Sequence, residues 1–153
     1  MNIGIGDNAR KEICDGLAGV LADSYLLYMK THGYHWNVKG PHFQHLHALF
    51  QEQYNEIWAA VDDIAERIRA LGHDAPGSYA AIAKLASVEE REDVPNASDM
   101  LQDLIKGNEA VLKTIRAAMP SMEEGGDEAS FDLMVQRLTA HEKAAWMLRS
   151  HLE

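Results

Sequence analysis

Residues His42–Gly72 read HFQHLHALFQEQYNEIWAAVDDIAERIRALG. Leu46, Phe50, Ile57, Ile64, Ile68 and Leu71 recur at intervals of three, four and seven, the spacing of one apolar stripe on a long helix. Gly72 ends the periodic run and Pro76 follows it, an ordinary helix stop. The pattern predicts a helix from about His42 to Leu71. A single amphipathic helix of this length must bury its stripe against others.

The neighbours supply them. Upstream, about Asp7 to Tyr34 carries Ile13, Leu17, Val20, Leu27 and Tyr28 near helical spacing. Downstream, the connection GHDAPGSYAAIAKLASVEEREDVPNAS holds one short helix around Tyr79 to Leu85. A third long helix starts at Asn96 or Ser98, both good N-caps, and carries Leu101, Leu104, Ile105, Val111, Leu112 and Ile115. Pro120 is expected to close it, with SMEEGGDE as a loop. Asp127 is expected to cap a fourth helix, which shows Met134, Leu138, Ala145, Leu148 and Leu152 on one face. Strand signals are absent. The expected fold is all-α, a four-helix bundle over residues 1–153 as a single domain. The long connection, with its short extra helix, falls between helices two and three, the ferritin-like connectivity.

Composition fits that reading and narrows the function. With 153 residues the chain can form one domain with a real core. It carries 24 Asp and Glu against 14 Lys and Arg, a net charge of −10 that repels phosphate backbones and anionic membranes and attracts cations. The one cysteine, Cys14, sits among apolar residues and excludes an intrachain disulfide. No signal peptide or membrane span is expected, so the expected location is the cytoplasm.

A metal site inside one bundle would carry Glu-x-x-His pairs, since positions i and i+3 share a face. The sequence has none. Two separate clusters remain. His35, His42, His45 and His47 surround the first turn, where Gly40 and Pro41 reverse the chain. Asp62 and Glu66 lie one helical turn apart on the second helix. Like charges at i, i+4 repel mildly, and a cation between them reverses the sign. The plainer alternative is a solvated acidic pair. Asp63 and Arg67 are expected to form an ordinary ion pair beside them. His47 and Asp62 share a helix, about 22 Å apart at a rise of about 1.5 Å per residue. One ion cannot bind both within a chain. If the clusters cooperate, two chains must meet antiparallel across a two-fold axis, which creates two equivalent sites. Two imidazoles and two carboxylates suit iron or zinc, and open positions for an oxidant favour iron.

At this point the residues resemble a known family. The run from Tyr34 to Ser78, with His35-Trp36-Asn37, Gly40, Phe43, Leu46-His47, Phe50, Tyr54, Asp62, Ala65-Glu66-Arg67, Leu71-Gly72 and Pro76, is similar to the signature region of Dps-like mini-ferritins. The resemblance implies a hollow homo-dodecamer with tetrahedral symmetry. It implies that His35 and His47 of one subunit, with Asp62 and Glu66 of another, oxidise ferrous iron at two-fold interfaces using hydrogen peroxide or dioxygen. The ferric product would be stored as mineral in the cavity, limiting oxidative damage. Trp36 resembles the family's tryptophan beside the site, as an electron donor, a shield or an interface residue. Asp127 and Asp132 resemble acids lining iron-entry pores at three-fold axes, with Glu123, Glu124 and Glu128 nearby. Glu52 resembles an acid of the mineral-nucleating inner wall, with Glu56 as a possible companion. His32, His42 and His45 have no place in the pattern. Zinc is the alternative occupant, able to bind such a site without turning over.

The alternative function is a DNA-compacting Dps protein with iron detoxification secondary. Such proteins use a lysine-rich tail to neutralise phosphate. Here MNIGIGDNARKE offers only Arg10 and Lys11, and the chain ends RSHLE. Twelve copies at −10 each carry a formal −120. DNA binding by the purified protein is therefore expected to be weak or absent at neutral pH and physiological salt; a tight, salt-resistant complex in a gel shift would refute this.

Overall fold

A computed structural model describes all residues, Met1–Glu153. Five helices form in the order α1 (Asp7–Asn37), α2 (Phe43–Ala70), α3 (Tyr79–Leu85), α4 (Ala97–Glu124) and α5 (Glu128–Arg149). There are no strands. α1 packs on α2 and α4, and α4 packs on α5. The six residues that defined the α2 stripe are all buried in one core cluster with Ile13, Leu17, Val20 and Leu27 of α1. Leu101, Leu104, Ile105, Val111 and Ile115 of α4 complete it with Met134 and Leu148 of α5. Asn96 caps α4 by accepting from Asp99 N, and Asp127 caps α5 by accepting from Ser130 N. No helix is long and apolar enough to cross a membrane.

The crossover returns along α1. Asp23, fully buried in the middle of α1, accepts the backbone N–H of Ser87 and Val88 and the hydroxyls of Ser87 and Thr114. Further along, Lys30 and Tyr34 donate to Asp103 near the start of α4. Thus α2 and α4 both start at the same end of the bundle. At the opposite end Arg10 Nε donates to the Leu71 carbonyl.

Three expectations are corrected. Pro120 lies inside α4, which runs on to Glu124. A proline at this position removes one helical hydrogen bond. The last turn survives because Met122 is fully buried and its carbonyl accepts from Asp127 N. Gly126, at φ 67°, supplies the left-handed residue which that closing motif needs. The loop shrinks accordingly. Leu152 lies beyond the end of α5 and is exposed. Arg67 does not pair with Asp63; its Nη2 donates to Asp127 Oδ1 at 2.6 Å and its Nε to Ser130 Oγ at 2.8 Å.

The interior also holds a polar network. His141, 1% exposed, donates from Nδ1 to Asn108 Oδ1 at 2.9 Å. Its Nε2 accepts from Arg137 Nη2 at 3.2 Å, and both Arg137 Nη atoms also donate to Glu56. Burial, with the Arg137 charge adding to it, pushes the His141 pKa down to about 3. Below about pH 6.5 the unfolded chain binds a proton at this residue that the folded chain refuses. Stability should therefore fall as pH drops from about 6.5 towards 3, by up to about 1.4 kcal/mol per pH unit from this residue. Urea midpoints measured from pH 7 to pH 4 should decline less steeply in His141→Gln than in the native protein.

Candidate metal centre

The α1–α2 turn builds the centre. Phe43 N donates to the Gly40 carbonyl, so α2 starts immediately after α1 stops and folds back on it. This places His35, near the end of α1, against His47, in the first turns of α2. Their rings stack with centroids 3.7 Å apart and planes 19° apart. His35 Nδ1 donates to the His47 carbonyl at 2.7 Å, and His47 Nδ1 donates to the His35 carbonyl at 2.8 Å. The His35 carbonyl belongs to the last turn of α1 and has no helical N–H to receive, so the bond satisfies a group left open by the helix end.

This reciprocity fixes the chemistry of both rings. A carbonyl only accepts, so each Nδ1 carries the proton. Each Nε2 then presents a lone pair, and neither is spent on a hydrogen bond. A donated Nδ1–H beside a free Nε2 is the usual preparation of an imidazole for metal.

Other aromatic rings wall the pair in. Tyr54 meets the His35 ring edge-on at 5.2 Å, and Phe43 lies 5.0 Å from His47. His32, which has no place in the ligand pattern, packs between Tyr54 (3.9 Å, stacked) and Trp36 (4.4 Å), with Nδ1 hydrogen-bonded to the Tyr28 hydroxyl. Burial, reinforced by His35, lowers its pKa. The signal was available: Tyr28, His32, His35 and Trp36 follow helical spacing on α1. His42 and His45 are exposed and take no part in this packing. Trp36 is 66% exposed.

Asp62 and Glu66 lie exposed on α2, and neither has an ion-pair partner. One chain does not bring them to the histidines, and no group of three or more His, Cys, Asp or Glu side chains is placed to hold a metal. A single chain thus holds the histidine pair and the acidic pair at separate places.

The remaining candidates are elsewhere. Asp127 is 2% exposed, and its carboxylate accepts from Arg67, Ser130 N and Ser130 Oγ. Asp132 is exposed and accepts from Gln136. Both border a hollow of about 380 Å³ with Glu123 and Glu128. Glu52 borders a cavity of about 190 Å³ with Glu56 and His141. Glu56 is held by Arg137 through both oxygens, so it is not a free companion for Glu52.

The ferritin-like domain profile matches residues 14–153. A DNA protection during starvation protein from Bacillus anthracis is 34% identical over 93% of this chain and 97% of its own length. An uncharacterized low temperature-induced protein from Nostoc is 39% identical over 100% of this chain and 87% of its own. The crystal structure of a Dps protein from Vibrio cholerae, described as a ferritin-like diiron-carboxylate protein, superposes with a TM-score of 0.95. It is 32% identical and aligns over 100% of this chain and 96% of that one. DpsC from Streptomyces coelicolor gives a TM-score of 0.96 at 30% identity, over 100% and 90% of the chains.

The chain is a Dps-like mini-ferritin. It belongs to a family of iron storage and protection, and its fold is the family's. In this mini-ferritin the imidazoles are oriented by backbone carbonyls rather than by acids. Nitrogen NMR of the metal-free protein should therefore find the neutral rings of His35 and His47 protonated at Nδ1. Resonances showing a proton at Nε2 in either ring would contradict the reciprocal pairing.

Proposed function

We propose that this protein is a ferroxidase and iron store whose sites form between subunits. The reading rests above all on the paired histidines, whose two Nε2 lone pairs are held free within one subunit. Asp62 and Glu66 add two carboxylates with no internal partner. Two neutral nitrogens with two anionic oxygens suit ferrous iron and do not suit magnesium or calcium. Ferrous iron here is substrate. Each peroxide takes one electron from each of two ferrous ions and, with two protons, leaves as two waters. The ferric product is stored as mineral inside a dodecameric cage. Dioxygen is the other oxidant, and zinc on the same donors blocks turnover because it has no accessible redox step.

Iron enters along acidic surfaces. Asp132 with Glu123 and Glu128 carries the attraction at the start of α5. Asp127, neutralised by Arg67, holds the turn that presents them. Glu52 serves mineral nucleation on the inner wall. Trp36 shields the site or supplies an electron to it.

Subunit complementation tests the composite site. His47→Ala and Asp62→Ala cages should each lose fast ferrous oxidation by peroxide. In a mixed pair, one interface site combines both defects and the other has neither. Cages reassembled from equal amounts of the two variants should therefore recover roughly a quarter of native activity. Mixed cages no faster than either parent would refute the assignment; so would native kinetics in the double variant.

A further inference from the structure

The outer face of the α1–α2 hairpin carries aromatic side chains that the subunit leaves uncovered. Trp36 is 66% exposed and Trp58 53%. On α2, His47, Gln51, Tyr54, Trp58, Asp62 and Ala65 form one stripe spaced by threes and fours, and none of them is buried. Where the crossover passes the hairpin, this face opens into a cavity of about 310 Å³. Leu21 and Tyr25 of α1, Val61 and Ala65 of α2, Pro76 and Tyr79 line it. An apolar cavity of about 150 Å³ holds a benzene ring; one about twice that size has room for an indole.

We propose that the cavity receives the Trp36 indole of a second copy of this chain. That seating sets the register at which His35 and His47 of one subunit meet Asp62 and Glu66 of the other. The inference rests on the composite-site reading and deepens it. A two-fold pairing that opposes His47 to the Asp62–Glu66 turn must centre its axis near Asn55 and Glu56, midway between them on α2. Within the hairpin, α1 runs antiparallel to α2, with His35 beside His47 and with Leu21 and Tyr25 beside Val61 and Ala65. Rotation about an axis crossing α2 keeps α1 on the same side. It therefore opposes the Leu21–Tyr25 part of one α1 to the Tyr28–His32 part of the other, and brings Trp36, one helical turn further on, level with Ala65 at the rim of the other copy's cavity. The exposed indole reaches the open cavity from that rim, twice per pair.

Charge agrees with this register. Lys39, exposed and without an ion-pair partner, follows Trp36, and the unpaired Asp62 and Glu66 flank the cavity. The same axis brings Trp58, which packs 4.9 Å from Tyr28, close to the partner's copy of the central stripe. Buried aromatic anchors of this kind carry much of the energy of protein interfaces.

Photo-crosslinking tests the seat directly. In Trp36→p-benzoylphenylalanine protein, irradiation should yield a covalent dimer whose adducts map to peptides containing Leu21–Tyr25 or Val61–Ala65. No dimer, or adducts confined to other segments, would overturn the proposal. Sedimentation gives a second measure. Trp36→Ala should raise the concentration at which subunits dissociate about tenfold or more, and Trp36→Phe should recover most of the loss. Equal assembly of all three proteins would also overturn it. Neither experiment reads iron. If the adducts map to the cavity while subunit complementation fails, the docking stands and the composite ferroxidase falls; if complementation succeeds and the adducts map elsewhere, the docking alone falls.

Discussion

A straight helix cannot bring its two ends together. α2 carries His47 in its first turns and Asp62 and Glu66 in its second half, and the separation of about 22 Å between His47 and Asp62, the nearer acid, is fixed by helical rise. No rotamer change closes that gap, because the longest of these side chains reaches only a few ångströms. The core makes the helix stiffer still, since six of its apolar residues are locked into one cluster with α1, α4 and α5. If the two clusters form one donor set, as proposed, only a second molecule can complete it. In the proposed function, a free subunit binds iron weakly at either half and oxidises it slowly, and assembly is what switches the chemistry on.

In the proposed function the histidine half is prepared before any partner arrives. Each imidazole is held by the other residue's carbonyl, so the two rings cannot reorient independently. Backbone acceptors place no buried anion beside the two rings, which leaves the negative charge of the proposed donor set to Asp62 and Glu66. The bundle interior follows the opposite plan. Glu56 approaches the core there, and the guanidinium of Arg137 supplies the positive charge, with His141 and Asn108 completing the network. Arg137 is buried, and the half-exposed Glu56 reaches it from the rim of the core. The arginine already fills the place beside Glu56 that a cation would take, whereas Asp62 and Glu66 on the outer face have no such partner.

Local patterns made the fold legible. The α2 stripe, the short α3, the Asn96 and Asp127 caps and the length of the crossover all follow from spacing and capping chemistry within a few residues. The errors came from contacts and helix ends that apolar spacing does not encode. Pro120 reads as a helix end until Met122 is seen to be buried and tied to Asp127. Arg67 has a textual partner at Asp63, yet Asp127 and Ser130 offer it a buried carboxylate and a hydroxyl together, a better bargain than one exposed acid. His141 left no local trace, because its partners are Asn108, 33 residues away, and Arg137, whose role is visible only once Glu56 is placed. The histidine cluster and the acidic pair were legible through charge and spacing, and their union in one site belongs to the proposed function. The reciprocal carbonyl bonds and the wall of His32 and Tyr54 were not, because they depend on how α1 and α2 fold back on each other.

Asp127 and Asp132 show why a carboxylate at the start of a helix is ambiguous in sequence. Asp127 is the α5 cap itself, where the helix dipole favours negative charge, and Asp132 lies five residues on, beyond the first turn, where the dipole explains it less well. The structure separates them by their cations. Asp127 faces Arg67 at 2.6 Å, so the pair contributes little net field to the surface. Asp132 accepts only an amide N–H from Gln136, which leaves its charge uncompensated. An acid that must attract ferrous ions cannot also be neutralised by its own subunit. In the proposed entry route the attraction therefore rests on Asp132 with the exposed Glu123 and Glu128, while Asp127 acts one step back, fixing the α4–α5 corner on which they stand.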